Sequence, residues 1–575
     1  MKESISVVSA MRTSKGRKAI NQDALKSEIP HDPAVLLLKG ACFLCADGVS
    51  SSTVSQIASD QALNKFIERY YLSSDTWSVQ KSAQQTIEEI NANLYATTRQ
   101  SPFRYDIEKG YVSTFSALIL KGQIAHVFHV GDCVIMRIRD KSYEVLTSSH
   151  RVNSEAQQSF LGRALGAAPK VDIEYSNFVA QNDDAYLLMS DGIYEYINDA
   201  TLFNLVSNKS VYKNNQALVD AIHDLAYENG SPDNLSVQFV SIKQINPQQQ
   251  LLPQQNAKIL SALPIQGDEI DEFIIQRELY CSARSHVYLA KDIYTNKEVA
   301  LKVPSLELQD DEFLLRQFGL EEWILKRINS PYVIKVSSPS RPRHYVTMIS
   351  DYFQGQHLHQ WIIDNPNPSL ETVREIIEQV AKGLTAMHRA QILHQDIRPE
   401  NIMIDDSFRV KIIDMGAARV AGLSELVRDI DSNVLGTAMY AAPEYFLGEL
   451  GTEQSDLYSL AMLTYYMLSG SFAYGPNVAK CTTMQYLNKL KYQSVLDSGK
   501  AIPLWIDQTL KQALQPNPAK RTQAISEFLY HLRHPSPSFI ERIKAPLIER
   551  HPVRFWQVLS LLLLMSNLAL LAAFL

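Results

Sequence analysis

Cysteine is scarce in this chain. Only 5 of its 575 residues are cysteines, and they are scattered, at Cys42, Cys45, Cys133, Cys281 and Cys481. An odd and scattered set does not make a disulfide framework, so it favours a reducing compartment. Cys42 and Cys45 form one Cys-x-x-Cys, but they lie in an apolar run that predicts a strand. A three-residue offset on a strand places two side chains on opposite faces, which argues against a redox or zinc role.

An excess of basic residues is also missing. The chain has 55 Lys and Arg against 62 Asp and Glu, a net charge of −7. A nucleic-acid binder needs a strongly basic face, so we expect no nucleic-acid partner. Hydrophobic residues make up 46% of the chain, enough for packed cores. This composition fits a cytosolic enzyme with about three or four units.

The two ends of the chain differ in their apolar content. The first residues lack an apolar stretch long enough for a signal peptide, whereas residues 555–575 are mostly apolar. About 20 such residues cross a bilayer as a helix, and Trp556 and Arg554 suit the interface and a cytoplasmic flank. We therefore expect a single-pass tail anchor in the inner (cytoplasmic) membrane, with the larger domains in the cytoplasm. Gln557 and Asn567 leave a buried packing helix as the alternative.

Changes of pattern divide the rest of the chain. Residues 1–244 alternate strand-like and helical stretches, and residues 245–266 form a linker rich in Gln and Pro. Residues 267–535 begin with strands and continue mostly with helices, and residues 536–554 form a short juxtamembrane segment before the predicted span. We see no internal repeat. The pattern predicts an α+β multidomain protein.

Several elements of the first domain can be predicted individually. The apolar run over 34–48 predicts a buried strand, and 81–100 predicts an amphipathic helix with Ile87, Ile90 and Leu94 on one face. A further helix is expected near 214–228, followed by a last strand. Three apolar runs predict successive antiparallel strands over 112–120, 124–130 and 134–139.

Five aspartates in this domain stand at the edges of apolar runs, namely Asp23, Asp47, Asp132, Asp191 and Asp233. Each alone is typical of a turn. Together they indicate carboxylates brought to one rim, the all-oxygen environment that hard divalent cations prefer. Two such ions about 3.5–4 Å apart can activate a water for attack on a phosphate ester. The sequence therefore predicts a site for two or more Mn²⁺ or Mg²⁺ ions.

The order of these segments resembles the metal-dependent protein phosphatases (PPM type, the 2C family). The resemblance covers residues 1–243 through K-A-I-N-Q-D, A-D-G, V-S-T-F, H-V-G-D-C, L-L-M-S-D-G and S-P-D-N-L-S. It implies a sandwich of two antiparallel sheets flanked by helices. It also implies these metal ligands: Asp47 and the Gly48 backbone for two core metals, Asp191 and Asp233 for the first metal, Asp132 for an additional one, and Asp23 as a supporting acid.

Two positions depart from this family's usual pattern. Gln22 stands where the family usually has a Glu that helps to hold the second metal, often through water. Lys18, with Arg17 beside it, stands where an Arg usually holds the substrate phosphate. Lys offers a point charge instead of a bidentate fork. We expect the domain to keep phosphatase activity despite both changes. The alternative is a domain that binds metal poorly and has lost this activity.

A second set of motifs lies in the other half of the chain. H-Q-D-I-R-P-E-N at 394–401 is followed by D-M-G at 414–416, by G-T-A-M-Y-A-A-P-E at 436–444 and by S-D-L-Y-S-L-A at 455–461. Residues 270–534 thereby resemble the serine/threonine protein kinases, whose fold has two lobes.

The resemblance assigns a role to each charged residue, in a reaction that depends mainly on positioning and charge neutralisation. The implied roles are Asp396 for the substrate hydroxyl, Asn401 and Asp414 for Mg²⁺, Lys302 for the ATP α- and β-phosphates, Glu321 (or Glu322) as the ion-pair partner of Lys302, Arg398 for the γ-phosphate, and Asp351 with Tyr352 for the adenine hinge.

The kinase-like half also lacks two expected features. Tyr280, Ser282 and Ser285 stand at the glycine positions of the phosphate-binding loop, where backbone amides normally cradle ATP. Gln395 replaces the Arg that usually clamps a phosphorylated activation loop, so we expect activity that does not need such phosphorylation. The altered loop makes a pseudokinase the serious alternative.

Together the motifs predict a membrane-tethered bifunctional enzyme. It would dephosphorylate phosphoserine and phosphothreonine proteins with a metal-activated water, and phosphorylate protein Ser and Thr with ATP. Its substrate would be either a shared protein partner or the chain itself. One alternative is an anchored phosphatase regulated by a nucleotide-binding or scaffolding pseudokinase. Another is a non-catalytic adaptor for phosphoproteins, which the retained metal carboxylates disfavour. The style of the motifs suggests a bacterial signalling protein.

Overall fold

A computed structural model describes most of the chain. The described residues are 4–148, 151–153, 159–161, 163–246, 257–282, 284–308, 311–337, 341–426, 439–475, 478, 483–487, 489–536 and 552–574. Residues 247–256 of the predicted linker and 537–551 of the predicted juxtamembrane segment lie outside this description. Two α+β units follow one another along the chain.

The first unit is a sandwich of two antiparallel five-stranded sheets, as the resemblance to the metal-dependent phosphatases implies. The sheets have the orders β1-β12-β11-β6-β7 and β10-β5-β4-β3-β2. Apolar side chains of both sheets pack between them, as expected of aligned sheets. The strands are β1 Ile5–Ser14, β2 Ala24–Glu28, β3 Ala41–Ala46, β4 Phe115–Lys121, β5 Ile124–Val130, β6 Val134–Arg139, β7 Ser142–Val145, β8 Arg151–Asn153, β9 Ser159–Leu161, β10 Glu174–Val179, β11 Ala185–Met189 and β12 Leu235–Ile245.

Helices cover both outer faces of the sandwich. They are α1 Pro33–Lys39, α2 Ser55–Leu72, α3 Val79–Gln100, α4 Asp191–Tyr194, α5 Asp199–Ser207 and α6 Asn215–Glu228. The predicted helix over 81–100 is confirmed, and Ile87, Ile90 and Leu94 are buried against the sheet. Ser78 caps this helix by accepting from the Lys81 N–H. The result is a four-layer unit with strand ends gathered at its edges.

Two strand predictions in this unit are wrong. Residues 33–39 form helix α1 instead of extending β3, because Pro33 suits a first helical turn and Gly40, with φ of 77°, ends it. Strands β4 and β5 pair antiparallel as expected, but β6 lies in the other sheet beside β11. The opposite-face prediction for the cysteines is confirmed, since Cys42 packs against the helices and Cys45 between the sheets.

The second unit has two lobes, as the kinase resemblance implies. The first lobe has one sheet of order β13-β14-β15-β16-β17 and helix α7. Its strands are β13 Glu269–Ile270, β14 Phe273–Cys281, β15 Ser285–Asp292, β16 Glu298–Pro304 and β17 Met348–Asp351, and α7 spans Glu312–Leu325. Lys258 joins this lobe by a parallel bridge to Tyr345.

The second lobe is mainly helical and packs around α9 and α12. Its helices are α8 Leu358–Asp364, α9 Leu370–Arg389, α10 Ala421–Ser424, α11 Pro443–Phe446, α12 Glu453–Ser469, α13 Met484–Leu487, α14 Leu504–Ala513 and α15 Ile525–Arg533. Short strands carry the loops between them: β18 Gln356–His357, β19 Ile392–Leu393, β20 Ile402–Ile404, β21 Val410–Ile412 and β22 Arg419–Val420. The apolar face of α9 has the helical spacing of Val373, Ile377, Val380 and Leu384, all fully buried.

Helix α16, Pro552–Phe574, lies where a membrane anchor is expected. That expectation is not supported, because within the part of the chain that the structure describes no helix is long and apolar enough to cross a membrane. Within this helix, Asn567 Nδ2 donates to the Leu563 carbonyl at 2.9 Å.

Candidate active sites

The five predicted aspartates all lie at strand ends of the sandwich. Asp23 precedes β2, Asp47 follows β3, Asp132 follows β5, Asp191 begins α4 after β11, and Asp233 precedes β12. Edges of two facing sheets therefore gather residues that are far apart in sequence. The role of these residues as metal ligands stays a prediction.

The Asp47 backbone is held tightly in place. Its N–H donates to Thr114 Oγ1 at 2.7 Å, and its carbonyl accepts from the Thr114 N–H at 2.8 Å. The N–H of Gly48 donates to the Gln22 carbonyl at 3.1 Å. A Cβ at Gly48 would lie 2.9 Å from that oxygen, so only glycine permits this close approach.

These carboxylates influence one another electrostatically. Burial raises the pKa of Asp47 well above its ordinary value, and the charges of Asp23, Asp191 and Asp132 add to this effect. Burial likewise raises the pKa of Asp23, although Ser190 Oγ donates to Asp23 Oδ2 at 2.8 Å. A divalent cation would relieve this repulsion.

The donor chemistry fits a hard divalent cation. All five side chains offer oxygen, and the buried Asp23 Oδ1 has no hydrogen-bond partner among the described residues. Among those same residues, no group of three or more His, Cys, Asp or Glu side chains is close enough to hold an ion. The assignment of individual ligands, with Asp233 and the Gly48 backbone among them, therefore stays a prediction.

The two basic residues predicted to hold a substrate phosphate point in different directions. Lys18 reaches the acidic rim, where its ammonium pairs with Asp233 and donates to Ser50 Oγ at 2.8 Å. The Arg17 guanidinium donates to the carbonyls of Ser231 and Tyr227 at 2.7 and 2.9 Å and stacks on the Tyr227 ring. Lys18 alone thus lies at the site.

Gln22 has a structural use that its sequence position does not reveal. Its buried side-chain amide donates to the Ser52 carbonyl and to Ser55 Oγ, both at 2.7 Å. A carboxylate could not donate to this carbonyl. The Gln22 side chain therefore fastens the start of α2 beside the acidic rim.

Asn234 is a positioning residue that sequence reasoning missed. Its Nδ2 donates to the carbonyls of Lys15 and Ile20, both at 2.9 Å, and its Oδ1 accepts from the Gln22 N–H at 3.0 Å. It thereby ties the loop that carries Lys18 to the rim. Its place directly after Asp233, in S-P-D-N, was the available signal.

In the second unit, the predicted ion pair is formed. Lys302 Nζ lies 2.9 and 2.6 Å from the two Glu321 carboxylate oxygens, and 3.9 Å from Asp414 Oδ1. The alternative partner, Glu322, is engaged with Arg343 at 2.8 Å. Glu321, on α7, is therefore the residue that pairs with Lys302.

Burial and charge compete at this cluster. Burial alone would lower the pKa of Lys302, but the carboxylates of Glu321 and Asp414 raise it. Burial raises the pKa of Glu321 to about 7 against the opposing charge of Lys302. Burial would also raise the pKa of Asp414, yet Lys302 and the Gly416 N–H lower it. Lys302 is thus held protonated and Asp414 ionised, as phosphate and metal binding require.

The catalytic loop brings its predicted residues together. Asn401 Nδ2 donates to the Asp396 carbonyl at 2.8 Å and to Asp396 Oδ2 at 2.9 Å. Arg398 Nε donates to Glu400 Oε2 at 2.9 Å, and its side chain is about a quarter exposed. Asp351 ends β17 at the predicted hinge, and Tyr352 follows it.

Asp456, in the S-D-L-Y-S-L-A motif, holds the backbone at the start of this loop by hydrogen bonds. It is fully buried and accepts from the N–H groups of His394 and Gln395, both at 2.9 Å, and from His388 Nε2 at 2.8 Å. Burial would raise the pKa of Asp456, but the His388 hydrogen bond lowers it. Gln395 is held at φ of 66°, a conformation that side chains other than glycine seldom adopt.

In the loop at the position of the kinase glycine loop, the side chain of Ser282 hydrogen-bonds to the loop's own backbone. Ser282 Oγ accepts from the N–H groups of Arg284 and Ser285 at 3.3 and 3.1 Å. The Ser282 N–H donates to the Ser285 carbonyl at 2.9 Å. Amides that would face ATP phosphates in a glycine loop are engaged here, and Tyr280 is half exposed, near the His357 ring.

Comparison with known protein families agrees with both geometries. Residues 13–231 match the family described as protein phosphatase 2C, and residues 282–532 match the protein kinase domain. The chain carries a phosphatase 2C domain followed by a serine/threonine kinase domain.

Two curated relatives, both serine/threonine-protein kinases, match the kinase half. The kinase half is 28% identical to the serine/threonine-protein kinase PknL of Mycobacterium bovis, over 45% of this chain and 64% of PknL. It is 26% identical to PrkC of Bacillus subtilis, over 42% of this chain and 37% of PrkC. The match thus spans less than two thirds of either relative.

Solved structures are similar to the same halves. The phosphatase PstP/Ppp of Mycobacterium tuberculosis is 20% identical, with a TM-score of 0.35, over 41% of this chain and 99% of that structure. The PknI kinase domain of Mycobacterium tuberculosis is 23% identical, with a TM-score of 0.37, over 48% and 100%.

Proposed function

We propose that the chain is a bifunctional signalling enzyme that removes phosphate from phosphoserine and phosphothreonine proteins and transfers phosphate from ATP to protein Ser and Thr. The observation that carries this proposal is the ion pair of Lys302 and Glu321 with Asp414 3.9 Å from Lys302. Protein kinases need this pair and this aspartate in place for transfer. A phosphatase domain alone would not account for it.

For the phosphatase reaction, Asp47, Asp191 and Asp233 would hold Mn²⁺ or Mg²⁺, with Asp132 and Asp23 beside them. Such ions supply an activated water and neutralise charge on the phosphate. Lys18 lies at this rim, where its ammonium can attract the phosphate of the substrate. The Thr114 and Asn234 hydrogen bonds keep the rim in shape.

For the kinase reaction, Asp396 would orient the hydroxyl of the substrate, held by its bonds from Asn401. Lys302 would bind the α- and β-phosphates of ATP. Mg²⁺, held by Asn401 and Asp414, would neutralise phosphate charge. Arg398 lies in the same loop and would contact the γ-phosphate once released from Glu400.

One observation favours a second candidate, a phosphatase regulated by a pseudokinase. Ser282 occupies the N–H groups of Arg284 and Ser285, which a phosphate-cradling loop would present to ATP. ATP binding would then be weaker, and the domain would sense nucleotide or act as a scaffold. The two candidates differ in whether phosphate is transferred at all.

Two single variants of the full chain separate the activities. We expect Asp47→Asn to lose Mn²⁺-dependent dephosphorylation of a phosphothreonine peptide while it keeps transfer from ATP to a generic protein substrate. Asp396→Asn should show the reverse, because it removes only the group that orients the hydroxyl. Equal transfer by Asp396→Asn and wild type would contradict the kinase assignment.

A further inference from the structure

The start of the kinase activation segment contacts the phosphatase domain. Just after β22, the Gly422 N–H donates to the Thr76 carbonyl at 3.0 Å. A Cβ on Gly422 would lie 2.7 Å from the Trp77 carbonyl oxygen and 3.0 Å from that of Asp75. Backbone therefore meets backbone here, with room for glycine only. We call residues 419–426 the anchor segment and residues 73–79 the docking loop.

A buried ion pair fastens the anchor segment. Lys121, at the end of β4 in the phosphatase domain, is fully buried, and its ammonium donates to the Gly422 carbonyl at 2.6 Å and to Glu425 Oε2 at 3.0 Å. Both Glu425 oxygens also accept from the Val79 N–H at 3.1 Å, at the start of the 22-residue helix α3. A buried ammonium is expensive unless it is paired, so this surface of the phosphatase domain is built to receive Glu425.

The docking loop also reaches the segment that leads into the catalytic loop. The Ser78 N–H donates to Gln391 Oε1 at 2.7 Å, and Trp77 Nε1 donates to the Arg389 carbonyl at 3.1 Å. Lys81 Nζ donates to the same carbonyl at 3.0 Å. Gln391 directly precedes β19, the strand that pairs with β22 of the anchor segment.

A third contact reaches the helix that carries Glu321. The Arg327 guanidinium, two residues beyond the end of α7, lies 2.9 Å from Asp75 Oδ2 and stacks on the Trp323 ring. The docking loop thus contacts residues next to the activation segment, the catalytic loop and α7. These three elements must be placed together for phosphoryl transfer. In the same structure the Lys302–Glu321 pair is formed.

We propose that the phosphatase domain is a built-in positioning partner of the kinase domain, which holds the activation segment and α7 in the arrangement for transfer. This role rests on the proposed kinase activity. Gln395 stands where an arginine would clamp a phosphorylated loop, so the segment needs another anchor, and Lys121 with the α3 N-terminus supplies one. Glu425 supplies the negative charge in that contact.

The test uses the full chain with Glu425→Ala, Gly422→Val and the matched control Glu449→Ala, an exposed glutamate of the same domain. Hydrogen–deuterium exchange reports docking at residues 73–81 and 419–426. Transfer to a generic protein substrate reports positioning, and hydrolysis of p-nitrophenyl phosphate reports the integrity of the phosphatase domain.

We expect faster exchange in both segments and about a tenfold loss of transfer in the two contact variants, within the usual range of coupling between sites. Phosphatase activity and the control should stay at wild-type values. Faster exchange with unchanged or increased transfer would overturn the positioning role, and so would unchanged exchange in both variants. Protected segments in a wild-type protein that transfers nothing would refute the kinase function itself, and the positioning role with it.

Discussion

The buried pair of Arg521 and Glu444 offers a quantitative test of the kinase fold. Arg521 is 2% exposed and Glu444 3%, and the guanidinium donates to both carboxylate oxygens, at 2.9 and 3.0 Å. It also donates to the carbonyls of Gln454 and Gln515 at 2.7 and 3.1 Å. The pair joins α11, which follows the activation segment, to the loop before α15.

Arg521→Leu should destabilise the kinase domain strongly. Removing one partner leaves a buried carboxylate without compensation, at a cost of about 3 to 5 kcal/mol in free energy of unfolding. For a domain of this size, that corresponds to a fall of roughly 6 to 20 °C in the midpoint of its thermal transition. Calorimetry of the full chain would resolve this transition from that of the phosphatase domain.

Arg533→Leu is the matched control. Arg533 also pairs with two glutamates, Glu371 and Glu378, but its side chain is 41% exposed, so its loss should cost under about 1 kcal/mol. Adding Glu444→Leu to Arg521→Leu should recover part of the loss, because it removes the unpaired charge. Equal shifts for Arg521→Leu and Arg533→Leu would refute the reasoning.

Two further predictions concern pH and nucleotide. Burial lowers the pKa of His126 to about 3, so below its ordinary value of 6.5 the unfolded chain binds a proton that the folded phosphatase domain does not. His126 should therefore contribute a fall in stability of about 1.4 kcal/mol per pH unit between pH 6 and 4. His126→Asn should remove this contribution from the pH dependence of the melting curves, and an unchanged slope would contradict the burial of the neutral ring. Ser282→Gly frees the Arg284 and Ser285 N–H groups and should tighten ATP binding in titration calorimetry. An unchanged dissociation constant would show that these groups do not face the phosphates.

The sequence predicts most reliably the residues and elements that belong to local motifs. Asp396, Asn401 and Asp414 lie in short sequence motifs with fixed spacing. Helical spacing places Glu321 on α7, where its carboxylate pairs with Lys302. Apolar periodicity likewise gives α3 with its buried face. These features depend on neighbours within a few residues, so a single sequence is enough to find them.

Features that depend on contacts between residues far apart in the sequence could not be predicted in this way. The apolar run 34–39 was predicted as strand, although Pro33 and Gly40 bound a helix. Lys121 is the last residue of an apolar strand and resembles an exposed strand end, yet Glu425, 304 residues away, makes its burial favourable. The hydrogen bonds donated by the Gln22 amide could not be predicted either. From the sequence alone, a glutamine that has replaced a metal ligand cannot be distinguished from one that makes a structural hydrogen bond.

The most direct test of the whole account follows labelled phosphate on the full chain itself. Wild type, Asp47→Ala and the double variant Asp47→Ala with Asp396→Asn are incubated with labelled ATP and Mg²⁺, and label on the protein is measured over time. We expect label to accumulate on Asp47→Ala, to stay low on wild type and to be absent from the double variant, because the phosphatase domain removes the phosphate that the kinase domain transfers. Absence of label from all three proteins, with a generic substrate also unmodified, would contradict the kinase activity and leave a phosphatase joined to a regulatory pseudokinase.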